Sequence, residues 1–210
     1  MFDINSFLRD LSIAIVPFLL AVTVHEASHG YAAYFLGDDT AKRAGRLTLN
    51  PFVHIDIFGL LCLLITRLFG WAKPVPVNFN VVARKKYGVA IVAAAGPVAN
   101  FLVAIFSAIL YHIVSSIHTS NPLMIKILFP ITMMLIFSVQ INIALGVFNL
   151  IPIPPLDGGR ILQSFLPVDK QVKFAQLERY GFIIILLLII THVVDYVIFP
   201  IIHFFVRLLI

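Results

Sequence analysis

The chain has 210 residues, of which 60% are hydrophobic and 12% charged, with a mean hydropathy of +1.02 and a formal net charge of +5. A water-soluble domain carries about a quarter charged residues, so this composition excludes one and makes the lipid bilayer the chain's main solvent. The basic excess is scattered through loops between apolar runs, which excludes a nucleic-acid partner, and the single cysteine, Cys62, excludes an internal disulfide or a cysteine-rich metal site.

The first apolar run, from about Leu11 to Leu36, predicts one long transmembrane helix that stops at Gly37-Asp38-Asp39. It is too long for the hydrophobic stretch of a cleavable signal and has Asp3 and Asp10 before it, so it is expected to stay in the mature protein. Inside it lie His25, Glu26 and His29. Four residues apart on a helix, the two imidazoles share a face and can chelate one ion, while Glu26 stands about 100° round the axis, beside that ion. Hydrolytic zinc sites use three protein ligands, an open position and a carboxylate that takes a proton from water. Ionisable groups in a span are expensive without partners or a function, which strengthens the reading of one catalytic zinc here with Glu26 as general base.

The second run, Phe52 to Phe69, is short and interrupted by His54, Asp56 and Arg67. From Trp71 to Asn78, prolines at alternating positions forbid a helix and predict an extended element. Two long helices are expected next, from Tyr87 to about Ile117 and from Leu123 to Leu150. The earlier of the two opens with small residues from Ala93 to Asn100, which suit close helix packing. Pro152, Pro154 and Pro155 then force a loop, a polar stretch to Tyr180 has helical character, and Gly181 to about Phe199 forms the last span. His112, His118, His192 and His203 fall near helix ends or in the tail and read as interfacial; Asp195 has no assigned role.

A third ligand must come from His54, Asp56, His112, His118, Asp157, His192 or Asp195. Asp157 returns to the depth of His25 and His29 only if an even number of spans separates them, which makes Phe52 to Phe69 re-entrant rather than a crossing. With that topology every Lys and Arg except Arg9, Lys126 and Arg207 falls on one side, and the positive-inside rule makes that side cytoplasmic. Both arguments select Asp157 and put the site toward the cytoplasmic face, with the re-entrant segment and the proline loop lining a wet cavity. His54 and Asp56 then either support the ligands and substrate or cap that segment.

Three separated blocks, His25-Glu26-Ala27-Ser28-His29, Gly96-Pro97-Val98-Ala99-Asn100 and the stretch from Asn149 through Pro152 and Pro154 to Asp157-Gly158, resemble the site-2 protease family of intramembrane zinc metalloproteases over most of the chain. The resemblance implies His25, His29 and Asp157 as ligands of one zinc, Glu26 as the catalytic acid and base, and Asn149 beside the substrate backbone. It also implies peptide-bond hydrolysis in or near transmembrane segments of other proteins, in the plasma membrane of a prokaryote. The chain departs from larger relatives in carrying neither an inserted PDZ domain nor a CBS pair. A helical substrate must unwind to expose its carbonyls, and either Val75 to Val81 or the Asn149 to Pro155 loop, with Pro152 and Pro154, is a candidate to hold the unwound segment. Asn100 is read chiefly as a packing residue, with support of the site as its second role. The expected fold is an all-α polytopic membrane protein of about four full transmembrane helices, one re-entrant or short membrane segment and a small extended element, in a single domain over residues 1–210. A membrane metal transporter or sensor is the competing function.

Overall fold

A computed structural model describes residues 4–59, 61 and 72–210 of the chain. Its helices are α1 (Ile4–Phe35), α2 (Thr40–Arg43), α3 (Phe79–Val82), α4 (Gly88–Ser115), α5 (Pro122–Asn149), α6 (Asp157–Phe165), α7 (Val168–Ala175), α8 (Glu178–Ile190) and α9 (Phe199–Leu209). Three stretches are apolar and long enough to cross a bilayer: Arg9–Phe35 of α1, and all of α4 and α5. The molecule is an all-α polytopic membrane protein, and its only β pairing among the described residues is one isolated antiparallel bridge between Ile55 and Ala72.

The three spans pack on one another through small residues. Lipid is as apolar as leucine, so helices in a membrane gain by close backbone approach and by interhelical hydrogen bonds rather than by burying oil. The α4 side of the interface is Ala93, Gly96, Pro97, Asn100, Ala104, Ser107 and Ala108, spaced at three or four residues so that all lie on one face. The facing stripe on α5 is Ser138, Val139, Asn142, Ile143, Gly146 and Val147. From α1 come Ala21, Ala27 and Ala33, each at most 1% exposed.

The fourth membrane element differs from the single span expected at Gly181 to Phe199. It is a broken pair, α8 and a second arm over Val194–Leu209, meeting at 76°. His192 at the break adopts a left-handed conformation, φ 59°, and its ring bonds Asp195 at 2.6 Å. No proline or glycine announces this turn in the sequence. Beyond it, Ile202, Phe205, Val206 and Leu209 pack on the buried cluster of Ala104, Ala108, Val139, Ile143 and Val147. What reads as a short apolar tail is thus a helix sealing the α4–α5 seam.

Between α1 and α4 the chain is pinned in place by polar groups. Lys73 donates its N–H to the His54 carbonyl at 2.9 Å beside the Ile55–Ala72 bridge, so the chain leaves and re-enters this region at one level. Most of the interior of the expected re-entrant segment, Phe52 to Phe69, lies outside the described residues, which omit 60 and 62–71. Buried Arg46 clasps both arms, donating to Val53 O and, from one guanidinium nitrogen, to Lys73 O at 3.0 Å and Pro74 O at 3.2 Å. Asp38, just past α1, accepts from Thr40 and from the Asn78 N–H at 2.6 Å. Burial pushes the Asp38 carboxyl up, but these hydrogen bonds outweigh it and hold the group below the usual carboxylate range. The extended stretch from Ala72 to Val77 is therefore tied at both ends alongside α1.

With Ile55 beside Ala72, the loops before α4 share one membrane face and residues 116–121 lie on the other. In a Cys62→Ala background, cysteines placed at Thr48 and Lys85 should react with an impermeant maleimide from the same side, and one at Thr119 only from the opposite side. Labelling of Thr48→Cys and Lys85→Cys from opposite sides would contradict the returning segment.

Candidate metal centre

His25 and His29 stand one helical turn apart on the inner face of α1, and α4 fixes how each ring points. The His25 Nδ1–H donates to Asn100 Oδ1 at 2.6 Å, and the His29 Nδ1–H donates to the Val92 carbonyl at 2.7 Å. Asn100 cannot present its amide nitrogen to His25, because Nδ2 already donates to Ala21 O at 3.0 Å and to Asn142 Oδ1 at 2.8 Å. In each neutral ring the single proton is thus spent on Nδ1, and Nε2 carries a bare lone pair. Asn100, expected chiefly to pack, does both jobs: it is fully buried between helices and it sets the tautomer of His25.

The third member arrives from α5. After Asn149 the chain turns through the proline loop, where Ile153 N bonds Ile151 O at 2.8 Å and Leu156 N bonds Ile153 O at 3.0 Å, and re-enters a helix at Asp157. Gly181 permits this, because a Cβ there would strike Pro155 Cδ at 2.5 Å and the Pro154 carbonyl. Asp157 Oδ2 ends 3.2 Å from His25 Nε2 and 3.3 Å from His29 Nε2, and the two Nε2 atoms are 3.1 Å apart. The side chains are 8, 14 and 12% exposed for His25, Asp157 and His29.

Three acceptors facing one another at these distances have no proton to share. The two Nε2 atoms cannot be hydrogen-bonded to each other, and Asp157 Oδ2 is a buried oxygen without a hydrogen-bond donor. Such a cluster repels itself unless a cation sits among the three. Ligands held 2.0–2.1 Å from a tetrahedral zinc stand roughly 3.3 Å from each other, which is the spacing found. Two imidazoles and a carboxylate are also a donor set that zinc favours, so the residues present fit that ion. Among the described residues this is the only group of three or more His, Cys, Asp or Glu close enough to hold a metal.

Gly96 of α4 faces the pair directly. A Cβ there would come within 2.7 Å of Cε1 of both imidazoles, so only glycine lets α4 approach this closely.

Two cavities meet at the site and share His25, Glu26 and Asn149 as their common wall. One, of about 330 Å³, is lined by His29, Pro74, Val75, Phe79, Pro155, Asp157 and Arg160 and holds the polar groups. The other, of about 290 Å³, lies between α1 and α5 and is mainly apolar, with Phe18, Leu19, Val22, Leu145 and Phe148. Glu26 Oε2 accepts from the Val75 N–H at 2.9 Å; Oε1 has no hydrogen-bond partner among the described residues.

Other residues singled out in the sequence fall further away. His54 is buried with Nε2–H donating to Thr48 O at 2.9 Å, and Asp56 accepts from the Gly59 N–H at 2.9 Å; both line the apolar cavity and neither reaches the triad. Asn149 donates to Leu145 O at 2.9 Å. Of the proline loop, Pro155 lines the polar cavity, whereas Pro152 is exposed and Pro154 is buried against glycines. The Val75 N–H as a partner of Glu26, the Arg46 clasp and the Asn142 contact were missed by the sequence reading, because a backbone N–H, a clasp between loops and the partner of a buried amide are not specified by local spacing.

A profile of Peptidase family M50 matches residues 13–191. YwhC of Bacillus subtilis (strain 168), a zinc metalloprotease by name, is 38% identical over 191 residues, which cover 90% of this chain and 85% of that protein. Rip2 of Mycolicibacterium smegmatis, a zinc metalloprotease by the same naming, is 27% identical over 203 residues, covering 92% and 72%. Rip2 of Mycobacterium tuberculosis is 26% identical over 188 residues, covering 84% and 66%. No solved structure matches the chain.

Helix propensity alone makes Gly→Ala inside a helix stabilising by about 1 kcal/mol. Gly96→Ala should instead push both imidazoles aside and cut the zinc retained per purified chain by about tenfold, read by elemental analysis; undiminished zinc in Gly96→Ala would contradict the close approach.

Proposed function

The chain belongs to Peptidase family M50 and is a zinc-dependent metalloprotease of the membrane, and from that premise we propose that it hydrolyses peptide bonds in or near transmembrane segments of other membrane proteins. The observation that carries this reading is the buried, donor-free triangle of His25 Nε2, His29 Nε2 and Asp157 Oδ2 beside a carboxylate that lines a polar cavity.

In this reading His25, His29 and Asp157 hold one zinc per chain, which supplies Lewis-acid activation of a peptide carbonyl and of water. Glu26 moves the proton. Its Oε2 is anchored by the Val75 N–H, which leaves Oε1 to take a proton from the attacking water and hand it to the departing amide nitrogen. Asn149, on the wall common to both cavities, orients the substrate backbone. The extended stretch of Ala72 to Val77, fixed by Arg46 and Asp38, offers an unwound substrate a neighbouring strand. An apolar segment reaches the site from lipid by way of the cavity between α1 and α5, and water comes from the polar side, where Arg160 and Phe79 line the cavity. The clustering of Lys and Arg on the loops of that side supports a cytoplasmic-facing site in a bacterial inner membrane, and in this reading the whole chain acts as one protease domain. Metal transport would need ligand layers along a path, and among the described residues there is a single cluster.

In proteoliposomes with an apolar-helix substrate, Glu26→Gln should lower cleavage by at least about 10²-fold while zinc content stays at wild-type level. Asp157→Ala should lose both. Cleavage that persists in Glu26→Gln, or zinc flux without cleavage in the wild type, would overturn the proposal.

A further inference from the structure

We infer that Asn142 is a positioning residue for the metal site, locking the Asn100 amide in the one orientation that leaves His25 Nε2 free to bind the ion. The inference rests on the zinc reading above. Asn142 lies in the C-terminal half of α5, fully buried, and its hydrogen bonds go to Asn100 and Ser138 rather than to either imidazole or Asp157. A carboxamide in an apolar span is costly unless each of its groups is satisfied, and here each bond has a direction. Asn142 Nδ2 donates to the Ser138 carbonyl at 2.9 Å, so Oδ1 is the atom turned toward α4. That oxygen takes an N–H of Asn100 at 2.8 Å, and Asn100 Oδ1 in turn takes the His25 Nδ1–H at 2.6 Å.

The polarity of this chain cannot reverse. Both of its fixed ends are main-chain carbonyls, Ser138 O on α5 and Ala21 O on α1, and a carbonyl only accepts. Were Asn100 flipped, its Nδ2 would face His25 Nδ1, the ring proton would move to Nε2 and the ligand lone pair would be gone. Ala21 O opposes that flip from one side and Asn142 Oδ1 from the other. The relay also couples the site to the packing of α5 on α4, since Asn142 reaches Asn100 only while the two helices stay in contact.

The test compares zinc affinity, by competition with a chelator of known strength, in Asn142→Leu, Asn142→Asp and Ser107→Ala. Asn142→Leu keeps the bulk and removes the acceptor; Asn142→Asp keeps an oxygen toward Asn100. Ser107→Ala breaks another buried contact of the same helix pair, Ser107 Oγ to Ser138 Oγ at 2.8 Å, and leaves in place the Ser138 carbonyl that anchors Asn142, Ser138 Oγ being only a second, longer partner of Asn142 Nδ2 at 3.4 Å. Affinity should fall about tenfold in Asn142→Leu, stay near or above wild type in Asn142→Asp and be unchanged in Ser107→Ala. Asn142→Ala carries the expectation of the leucine variant if leucine disturbs folding. Selective ¹⁵N labelling of histidine should show mixed ring tautomers for His25 only where the acceptor is gone. Wild-type affinity in Asn142→Leu, or equal losses in the leucine and aspartate variants or in Ser107→Ala, would overturn the relay. Zinc retained in Asp157→Ala would instead overturn the site on which it rests.

Discussion

Two imidazole lone pairs and a carboxylate oxygen held 3.1–3.3 Å apart, inside a bundle whose surroundings are hydrocarbon, repel one another, and the rest of the architecture is arranged to hold them there. Asn100 and the Val92 carbonyl take the ring protons, Gly96 lets α4 come close enough to do so, and the turn after α5 brings Asp157 back to the depth of α1. A cation would turn the same three atoms from a liability into a cross-link between α1 and the start of α6. Stability and chemistry therefore meet at one point, as is usual where metal binding is coupled to folding.

The membrane explains why most of the supporting groups are matched, with Arg46 Nε and His54 Nδ1 the exceptions among the described residues. In water a stray amide or guanidinium finds solvent; here each must find protein. Asn100 spends both amide hydrogens, Asn142 joins it to α5, Ser107 meets Ser138, and Arg46 closes on carbonyls from both arms of the returning segment. The divided cavity follows from the same economy. Its apolar half lies between α1 and α5, its polar half lies beneath the extended stretch, and Glu26 stands in the wall between them.

Much of this was legible in the residues. His25, Glu26 and His29 follow from helical spacing, and the choice of Asp157 follows from counting spans against charge, because both signals are local or additive. The bounds of α4 and α5 fall within two residues of the expected ones, since long apolar runs with Asn-Pro or proline breaks leave little freedom. The bend at His192 was not legible: a residue in left-handed conformation stabilised by an Asp three positions on has no periodic signature. Asn142 could have been suspected, because with Ser138 it places two polar groups on one face of an apolar span, and such groups seek partners across helices. Which partner, and in which direction the amide points, is a matter of three-dimensional contact that sequence spacing does not contain.

X-ray absorption at the zinc edge of the purified, zinc-loaded protein measures the central claim directly. The account predicts one zinc per chain with two imidazole nitrogens and a carboxylate oxygen at roughly 2.0–2.1 Å, and loss of the two-imidazole signature in His25→Ala. A spectrum with one imidazole or none in the wild type, or one unchanged by His25→Ala, would contradict it.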